Sequence, residues 1–504
     1  MISEKAYAPE LKAAEQKVDA WWAAEVSRLT ADPATATLII CRAMAAEIAS
    51  GREFLSRNPP VFHALARSHI SGAQIALQSI SGQLPPGEFP STFVFSALPQ
   101  ASVQAAAQLL KEGYRYSLVR DAYLTFKWGG YDVQAMSADV LRFTDVPGWD
   151  GARDHASRTL YQEVDLENAA AAMPKVVSAG RPVLDHMYQG PGDLTFAHIN
   201  AAQFSRGWSV LCEEFARDVF TGDCPILTAH QVMSMVMDRA GLARKIAEEF
   251  IDLITFDRST AGALTLFHCP LVPVTGSSRI VIAPALILAN LTTCINRLAV
   301  HRGPGLDAMS KKLEEYYLSL IKQNYEARDV VIRTNVPYTH RGISRDIDLV
   351  LHDNCAGRLH LGMLKGFVRP DSVEEVIRAN EQLEYGIQQA QDVREWINAI
   401  APEQRAAALG LPRECICQTV DCAVFGNGFA GSDYLTLDPG IPLVDSTYIL
   451  LSRFRGRSLF DSISEYTDRL AESAKSQANS RSEPVKLGSI TFELPAFVLA
   501  AEIT

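Results

Sequence analysis

The sequence predicts an α+β protein in which a largely α-helical N-terminal region precedes an α/β domain with a mixed central sheet. Over most of residues 1–260, apolar residues recur at three- and four-residue spacing, which is typical of amphipathic helices. From about residue 262, short runs rich in Val, Ile and Leu alternate with turn residues and longer helical patterns. That order is typical of a sheet covered by helices. We therefore predict a mainly helical domain at 1–260 and a second domain at 261–504.

Length and composition exclude several classes of protein. The chain has 504 residues, 48% of them hydrophobic and 21% charged, which is ordinary for globular domains with sizeable cores. The formal net charge of -11 argues against a protein that coats nucleic acid through bulk positive charge. The longest apolar run, 280–289, is shorter than the roughly 20 residues that a bilayer crossing needs. With scattered cysteines and a polar N-terminus, we expect a cytoplasmic protein without membrane contact.

The N-terminal region consists mainly of helical patterns separated by breaks rich in Pro, Gly and Ser. One such break is SGQLPPGEFPST at 81–92. The predicted helices cover 9–30, 34–50, 201–220 and 228–255. None of these segments contains a motif that points to a chemistry, so the role of this region is not predicted.

The C-terminal region has a clearer order of elements. Two strands flank the turn TGSS at 275–278, and a helix follows to about 300. The subsequent elements are a helix at 306–323, strands at 329–337, 343–352 and 358–366, a helix at 371–398, a strand at 414–425, and a strand–helix pair at 441–451 and 458–475. A polar stretch at 475–484 reads as a linker, and VKLGSITFELP reads as one final strand.

The most informative feature is a pair of strands joined by a tight turn, with acids on the first strand and a lysine on the second. Asp346 and Asp348 are two residues apart, so we expect both on one face, with Ile347 and Leu349 on the opposite, core-facing side. Lys365 ends the second strand. Carboxylates suit Mg²⁺, which also binds substrate phosphate and acidifies a water, and a lysine can orient that water.

The order helix, three strands, helix, strand resembles the core of the PD-(D/E)XK nuclease superfamily. The matching residues are Asp348 in RDIDLVL and Lys365 at the end of LHLGMLKG, and the resemblance covers about 305–426. It implies Mg²⁺-dependent (or Mn²⁺-dependent) hydrolysis of DNA, with catalytic Asp348, Lys365 and a glutamate of the first core helix, here Glu314. It also implies a polar residue on the helix after the lysine. Gln382, Gln388 and Gln389 are the corresponding glutamines.

The chain departs from the family pattern at one position. The family has an acid two residues before the lysine, and here that residue is Met363, whose neutral, soft thioether is a poor ligand for Mg²⁺. The domain is then a degenerate relative, or a copy inactivated by substitution, or the missing acid comes from the next helix. The acids available there are Glu374, Glu375 and Glu381. Ser372 and Glu375 also form a capping-box pattern, which explains that glutamate without a metal.

We therefore expect Asp348, Asp346 and Glu375 as the metal ligands of a Mg²⁺-dependent DNA endonuclease or nuclease-like effector. Related domains joined to helical regions resemble bacterial restriction and antiphage defence nucleases, and this context is an analogy. The alternative is a catalytically degenerate nuclease fold that acts as a nucleic-acid- or protein-binding module. We expect DNA as a partner, together with a protein partner or a second copy of the chain.

Overall fold

The computed structural model describes residues 9–146, 190–258, 264–426, 441–445 and 480–497. Within these ranges the gaps are 30–31, 53–58, 81–83, 88–97, 128–129, 138, 192–193, 223, 304, 326–329, 355–356, 367, 369–372, 416 and 442. The predicted helix at 458–475 lies outside the described residues.

Four helices form the first part of the chain, and the predicted mainly helical character is confirmed there. Asp32 caps the second helix by accepting from the Thr35 N–H at 2.9 Å, and Pro33 occupies its first turn. The helices are α1 (Pro9–Ser27), α2 (Pro33–Ser50), α3 (Pro59–Ser79) and α4 (Gln100–Lys127).

Helices α3 and α4 cross with their backbones nearly in contact. A Cβ at Gly72 would overlap the Leu110 carbonyl, and a Cβ at Gly113 would lie 2.9 Å from the Gly72 carbonyl oxygen. The ring of Trp22 from α1 stacks on Tyr116 of α4, with centroids 5.3 Å apart. The two glycines therefore allow α3 and α4 to pack closely, and α1 packs against α4 beside this crossing.

The middle of the chain combines short strands with helices. The elements in order are β1 (Tyr131–Ser137), β2 (Val140–Asp145), β3 (Thr195–Phe196), β4 (Ile199–Asn200), α5 (Ala201–Phe215), a 3₁₀ turn (Asp218–Phe220), β5 (Ile226–Thr228), α6 (Ala229–Ala240), α7 (Arg244–Leu253), β6 (Leu271–Pro273), β7 (Ser278–Val281), α8 (Ala283–Leu288) and α9 (Leu291–Arg302).

Two small sheets join segments from both sides of residue 260. In the first, β5 pairs with β7, and β7 with β6. In the second, the strand order is β1–β2–β14–β13, where β13 is Ser480–Leu487 and β14 is Ile490–Phe497. Arg142 of β2 also forms an ion pair with Glu493 of β14. The boundary at 260/261 between the two domains stays a prediction. In both small sheets, strands from before this boundary pair with strands from after it.

The C-terminal strands differ from the sequence prediction. One final strand was expected after a linker at 475–484, whereas the described residues form the antiparallel hairpin β13–β14, and β13 begins at Ser480. Gly488 lies in the turn with φ 59°, a left-handed conformation that glycine adopts without steric cost. The prediction was wrong because Leu-Gly-Ser within an alternating apolar pattern was assigned to a strand rather than to a turn.

The central sheet is mixed, as predicted, and follows the predicted order of elements. Its strand order is β12–β11–β10–β9–β8, with antiparallel pairs β8–β9 and β9–β10 and parallel pairs β10–β11 and β11–β12. The elements are α10 (Leu306–Tyr325), β8 (Val330–His340), β9 (Ile343–Asp353), β10 (Arg358–Lys365), α11 (Val373–Asn398), α12 (Pro402–Ala408), β11 (Thr419–Gly426) and β12 (Leu443–Asp445).

Helices α10 and α11 cover opposite faces of this sheet. On one face, Leu313 and Met309 of α10 belong to a core that includes Leu364 of β10. On the other face, Leu383 of α11 belongs to a core that includes Leu361 of β10. Since successive residues of a strand point to opposite faces, the end of β10 lies between the two helices.

The side-chain alternation of β9 changes at Asp348. Leu349 packs on the α10 face, as its core position predicts, but Ile347 packs on the α11 face. The expectation that both share one face is therefore wrong. Across the ladder, between the pairs Thr334↔Leu349 and Val336↔Ile347, Asn335 has φ 53°, a left-handed conformation that asparagine tolerates. This local twist of both strands brings Asp348 to the end of β10.

Within the described part of the chain, no helix has the length and apolar character that a bilayer crossing requires.

Gly72→Ala should destabilise the fold although it replaces glycine inside a helix. In an exposed helix this change stabilises by about 1 kcal/mol, but here the new methyl group overlaps the Leu110 carbonyl. We expect the free energy of unfolding in urea to fall by about 1–3 kcal/mol. Gly276→Ala, whose Cβ would have its nearest contact at 3.6 Å, is the control and should change it by less than about 0.5 kcal/mol. A more stable Gly72→Ala variant would contradict the close helix crossing.

Candidate functional site

The candidate site forms where the β9–β10 ladder ends. The last residues paired between β9 and β10 are Gly362 and Leu349. On the β9 side, the backbone N–H groups beyond that pair therefore need other acceptors. The Leu364 N–H donates to Oδ2 of Asp348 at 2.7 Å. The carboxylate of Asp348 thus takes the place of a strand carbonyl and is fixed against the end of β10.

Glu314 reaches the same strand end from α10. The Gly366 N–H donates to its Oε1 at 3.0 Å. A Cβ at Gly366 would overlap the Ser310 carbonyl and lie 3.0 Å from Cγ of Glu314. Glycine at 366 therefore permits the close approach of helix and strand that this hydrogen bond needs.

Lys365 points to the α11 side of the same strand end. Its Nζ donates to Oε1 of Gln389 at 2.8 Å, so among the three glutamines named from the resemblance the structure brings Gln389 to the lysine. Gln382 and Gln388 are exposed. The Lys365 side chain lies against Gly386, where a Cβ would be 3.0 Å from Cε.

The three charged groups influence one another electrostatically. Burial raises the pKa of Glu314, and the negative charge of Asp348 raises it further. Burial also raises the pKa of Asp348, whereas the Leu364 N–H and the charge of Lys365 oppose that rise. Burial lowers the pKa of Lys365, and the charges of Asp348 and Glu314 oppose that change. Asp348, Glu314 and Lys365 therefore converge on one partly desolvated site, which is the arrangement expected of functional groups.

No direct ion pair joins Lys365 to either acid in the part of the chain that the structure describes. Each group is instead held by a different neighbour, Asp348 by Leu364, Glu314 by Gly366 and Lys365 by Gln389. The charges are thus close enough to interact but are not neutralised by direct contact.

The residues suit Mg²⁺ or Mn²⁺ in part. Asp348 and Glu314 offer two carboxylates, and Mg²⁺ commonly binds one or two carboxylates together with water and substrate phosphate. Among the described residues, no three His, Cys, Asp or Glu side chains form a metal-binding group. Asp346 is exposed, although its charge raises the pKa of Asp348. Glu375 lies in the first turn of α11, and its side chain is outside the described residues.

Met363 lies on the same face of β10 as Lys365 and is buried. Its side chain is 1% exposed and belongs to the core on the α11 face, together with Leu361 and Leu383. The position that is acidic in the nuclease family is therefore an apolar packing position in this chain.

Basic residues near the site are largely paired with acids of α11. Arg345 forms an ion pair with Asp392 at 2.7 Å, and Arg341 forms one with Glu395 at 2.8 Å. His340 also lies 3.5 Å from Glu395. These pairs reduce the net positive charge on this side of the sheet.

Sequence reasoning missed three residues that shape the site. Gly366 directly follows the lysine, and that adjacency was the available signal. Asn335 and Tyr385 gave no such signal, because the left-handed conformation of the first and the exposure of the second depend on tertiary packing.

Asp348→Asn tests whether the buried carboxylate lowers the free energy of unfolding. The amide keeps an oxygen for the Leu364 N–H but removes a charge that burial disfavours. The pKa of Asp348 is raised on folding, so its ionised form lowers stability as pH rises through the folded pKa. In urea unfolding between pH 3 and pH 8, a range that starts below the ordinary carboxyl pKa of 3.8, the variant should gain stability relative to the wild type as pH rises. At pH 8 it should be no more than about 1 kcal/mol less stable.

Asp346→Asn removes an exposed charge from the same strand and is the control; because that charge is a minor cause of the raised pKa of Asp348, this variant should shift the pH dependence only slightly. A loss above about 2 kcal/mol in Asp348→Asn at every pH would instead assign the carboxylate a purely structural role.

Comparison with protein-family models, with curated proteins and with solved structures gives no match to this chain.

Proposed function

We propose that the protein is a divalent-metal-dependent phosphodiesterase that hydrolyses DNA. The observation that carries this proposal is the convergence of Asp348, Glu314 and Lys365 at the end of β10, each held by its own hydrogen bond and each with its pKa shifted by burial. Fixed carboxylates and a lysine without a direct ion pair form a site that can act on an external anion and a water.

Each residue has a distinct task in this proposal. Asp348 and Glu314 would hold Mg²⁺ or Mn²⁺, which when bound acts as a Lewis acid toward the phosphate. Lys365, oriented by Gln389, would position the water whose oxygen forms the new P–O bond. The water releases a proton to solvent as it attacks, the P–O bond to the leaving strand breaks, and the leaving oxygen gains a proton from solvent.

A second candidate function is a DNA- or protein-binding module without catalysis. The observation in its favour is Met363, which is buried in the core where the nuclease family carries an acid. In that case Asp348 and Glu314 would chiefly satisfy the N–H groups of Leu364 and Gly366.

Plasmid cleavage with Mg²⁺ or Mn²⁺ tests the leading proposal. We expect the wild type to nick supercoiled plasmid and Lys365→Ala to lower the rate about 100- to 1,000-fold, because the water loses its orienting charge. Lys311→Ala, at an exposed position of α10, is the matched control and should leave the rate unchanged. Cleavage that persists in Lys365→Ala would show that another site is responsible.

Substitution of Met363 separates the two candidate functions. We expect Met363→Glu to give cleavage no faster than the wild type, because a glutamate at this buried position would place its carboxylate in the apolar core beside Leu361 and Leu383. Met363→Gln has a similar shape without the charge and is the control for polarity, with folding followed by circular dichroism. If cleavage appears only in Met363→Glu, the natural chain is an inactivated nuclease, and the binding-module function is supported.

A further inference from the structure

Tyr385 is an exposed aromatic side chain beside the candidate site. It lies on α11, one turn before Gln389, and is 53% exposed. Among the described residues it is the only aromatic side chain that is exposed to this degree. Tyrosine is enriched at binding interfaces because its ring is apolar and its hydroxyl is polar.

The ring of Tyr385 forms a cation–π contact with Lys365 of the site. Lys365 Nζ lies 5.5 Å from the ring centroid, and Arg345 Cζ lies 5.7 Å from it. Cations at these distances interact favourably with the ring electrons and fix the ring orientation. A planar group that stacks on the exposed part of the ring would therefore lie close to both cations.

The charge of α11 limits how the site can attract DNA. This helix carries six acidic and two basic residues over its 26 positions. Arg345 and Arg341 are paired with acids of the same helix. Attraction to a continuous phosphate backbone is therefore weak, and binding must draw on another interaction.

We infer that Tyr385 is a stacking platform for an unpaired DNA base, so the site takes DNA with unpaired bases rather than intact duplex. This inference rests on the proposed function and specifies its substrate. Bases within a duplex are stacked on one another, whereas an unpaired base presents a free face to an aromatic ring. Stacking uses the flat face of the base rather than the phosphate charge, which suits a site flanked by the acids of α11.

Fluorescence anisotropy with the full chain in EDTA tests the inference without cleavage. The probes are a labelled single-stranded DNA of 20 thymidines, an abasic strand with the same phosphates, and a 20-base-pair duplex. We expect the single strand to bind most tightly and Tyr385→Leu to weaken that binding roughly 5- to 100-fold, the range that one base–aromatic stack supports. Tyr385→Phe keeps the ring and should retain most of the affinity.

Ile343→Ala removes another exposed apolar side chain, 52% exposed, and is the matched control. The abasic strand should bind equally weakly to the wild type and to Tyr385→Leu. Tighter binding of the duplex, no binding of the single strand, or unchanged single-strand affinity in Tyr385→Leu would each overturn the inference.

Cleavage assays distinguish failure of this inference from failure of the proposed function. Lys365-dependent cleavage that is equally fast on duplex and single strand, and unaffected by Tyr385→Leu, would leave the phosphodiesterase and remove the stacking platform. Ring-dependent binding without any cleavage would leave the stacking platform and remove the phosphodiesterase.

Discussion

The end of the β9–β10 ladder is the constraint on which the candidate site depends. Beyond the pair Gly362↔Leu349, the N–H of Leu364 in β10 and the N–H of Gly366 just after it take side-chain carboxylates as acceptors, one from the sheet and one from α10. An unsatisfied buried N–H costs about 1–3 kcal/mol, so these bonds fix helix and strand relative to one another. The same bonds place two negative charges next to Lys365, which couples the packing of the domain to the electrostatics of its site.

Hydrogen bonding alone does not explain why both acceptors are charged. Asparagine and glutamine would satisfy the same N–H groups without the cost of burying a carboxylate, which the raised pKa values of Asp348 and Glu314 reveal. Packing alone would favour neutral acceptors at these two positions. Buried carboxylates beside one lysine are therefore better explained by a role for their charge, because unfavourable local features of this kind concentrate at functional sites.

The sequence predicted the elements of the central sheet closely, because alternation and turn residues mark them locally. The spacing of Asp348 and Lys365 also predicted a shared site. The face of Ile347 was not predictable, since the left-handed Asn335 that shifts it lies on the neighbouring strand. The β13–β14 hairpin was missed for a related reason: β14 pairs with β2, about 350 residues earlier, and no local pattern reports such a partner. Glu314 was placed by analogy with a family, and only the three-dimensional approach of Gly366 shows why it reaches β10.

The burial of Met363 changes where a second acid can act. A carboxylate at 363 would lie in the apolar core with Leu361 and Leu383, because this side chain packs on the α11 face. Glu314 instead approaches from α10, on the opposite side of the strand end. The charges of the site are therefore divided between the sheet and α10, while Lys365 stays on the side of α11. On the α11 side, the groups in contact with Lys365 are the neutral amide of Gln389 and the ring of Tyr385, which hold the lysine without forming an ion pair with it.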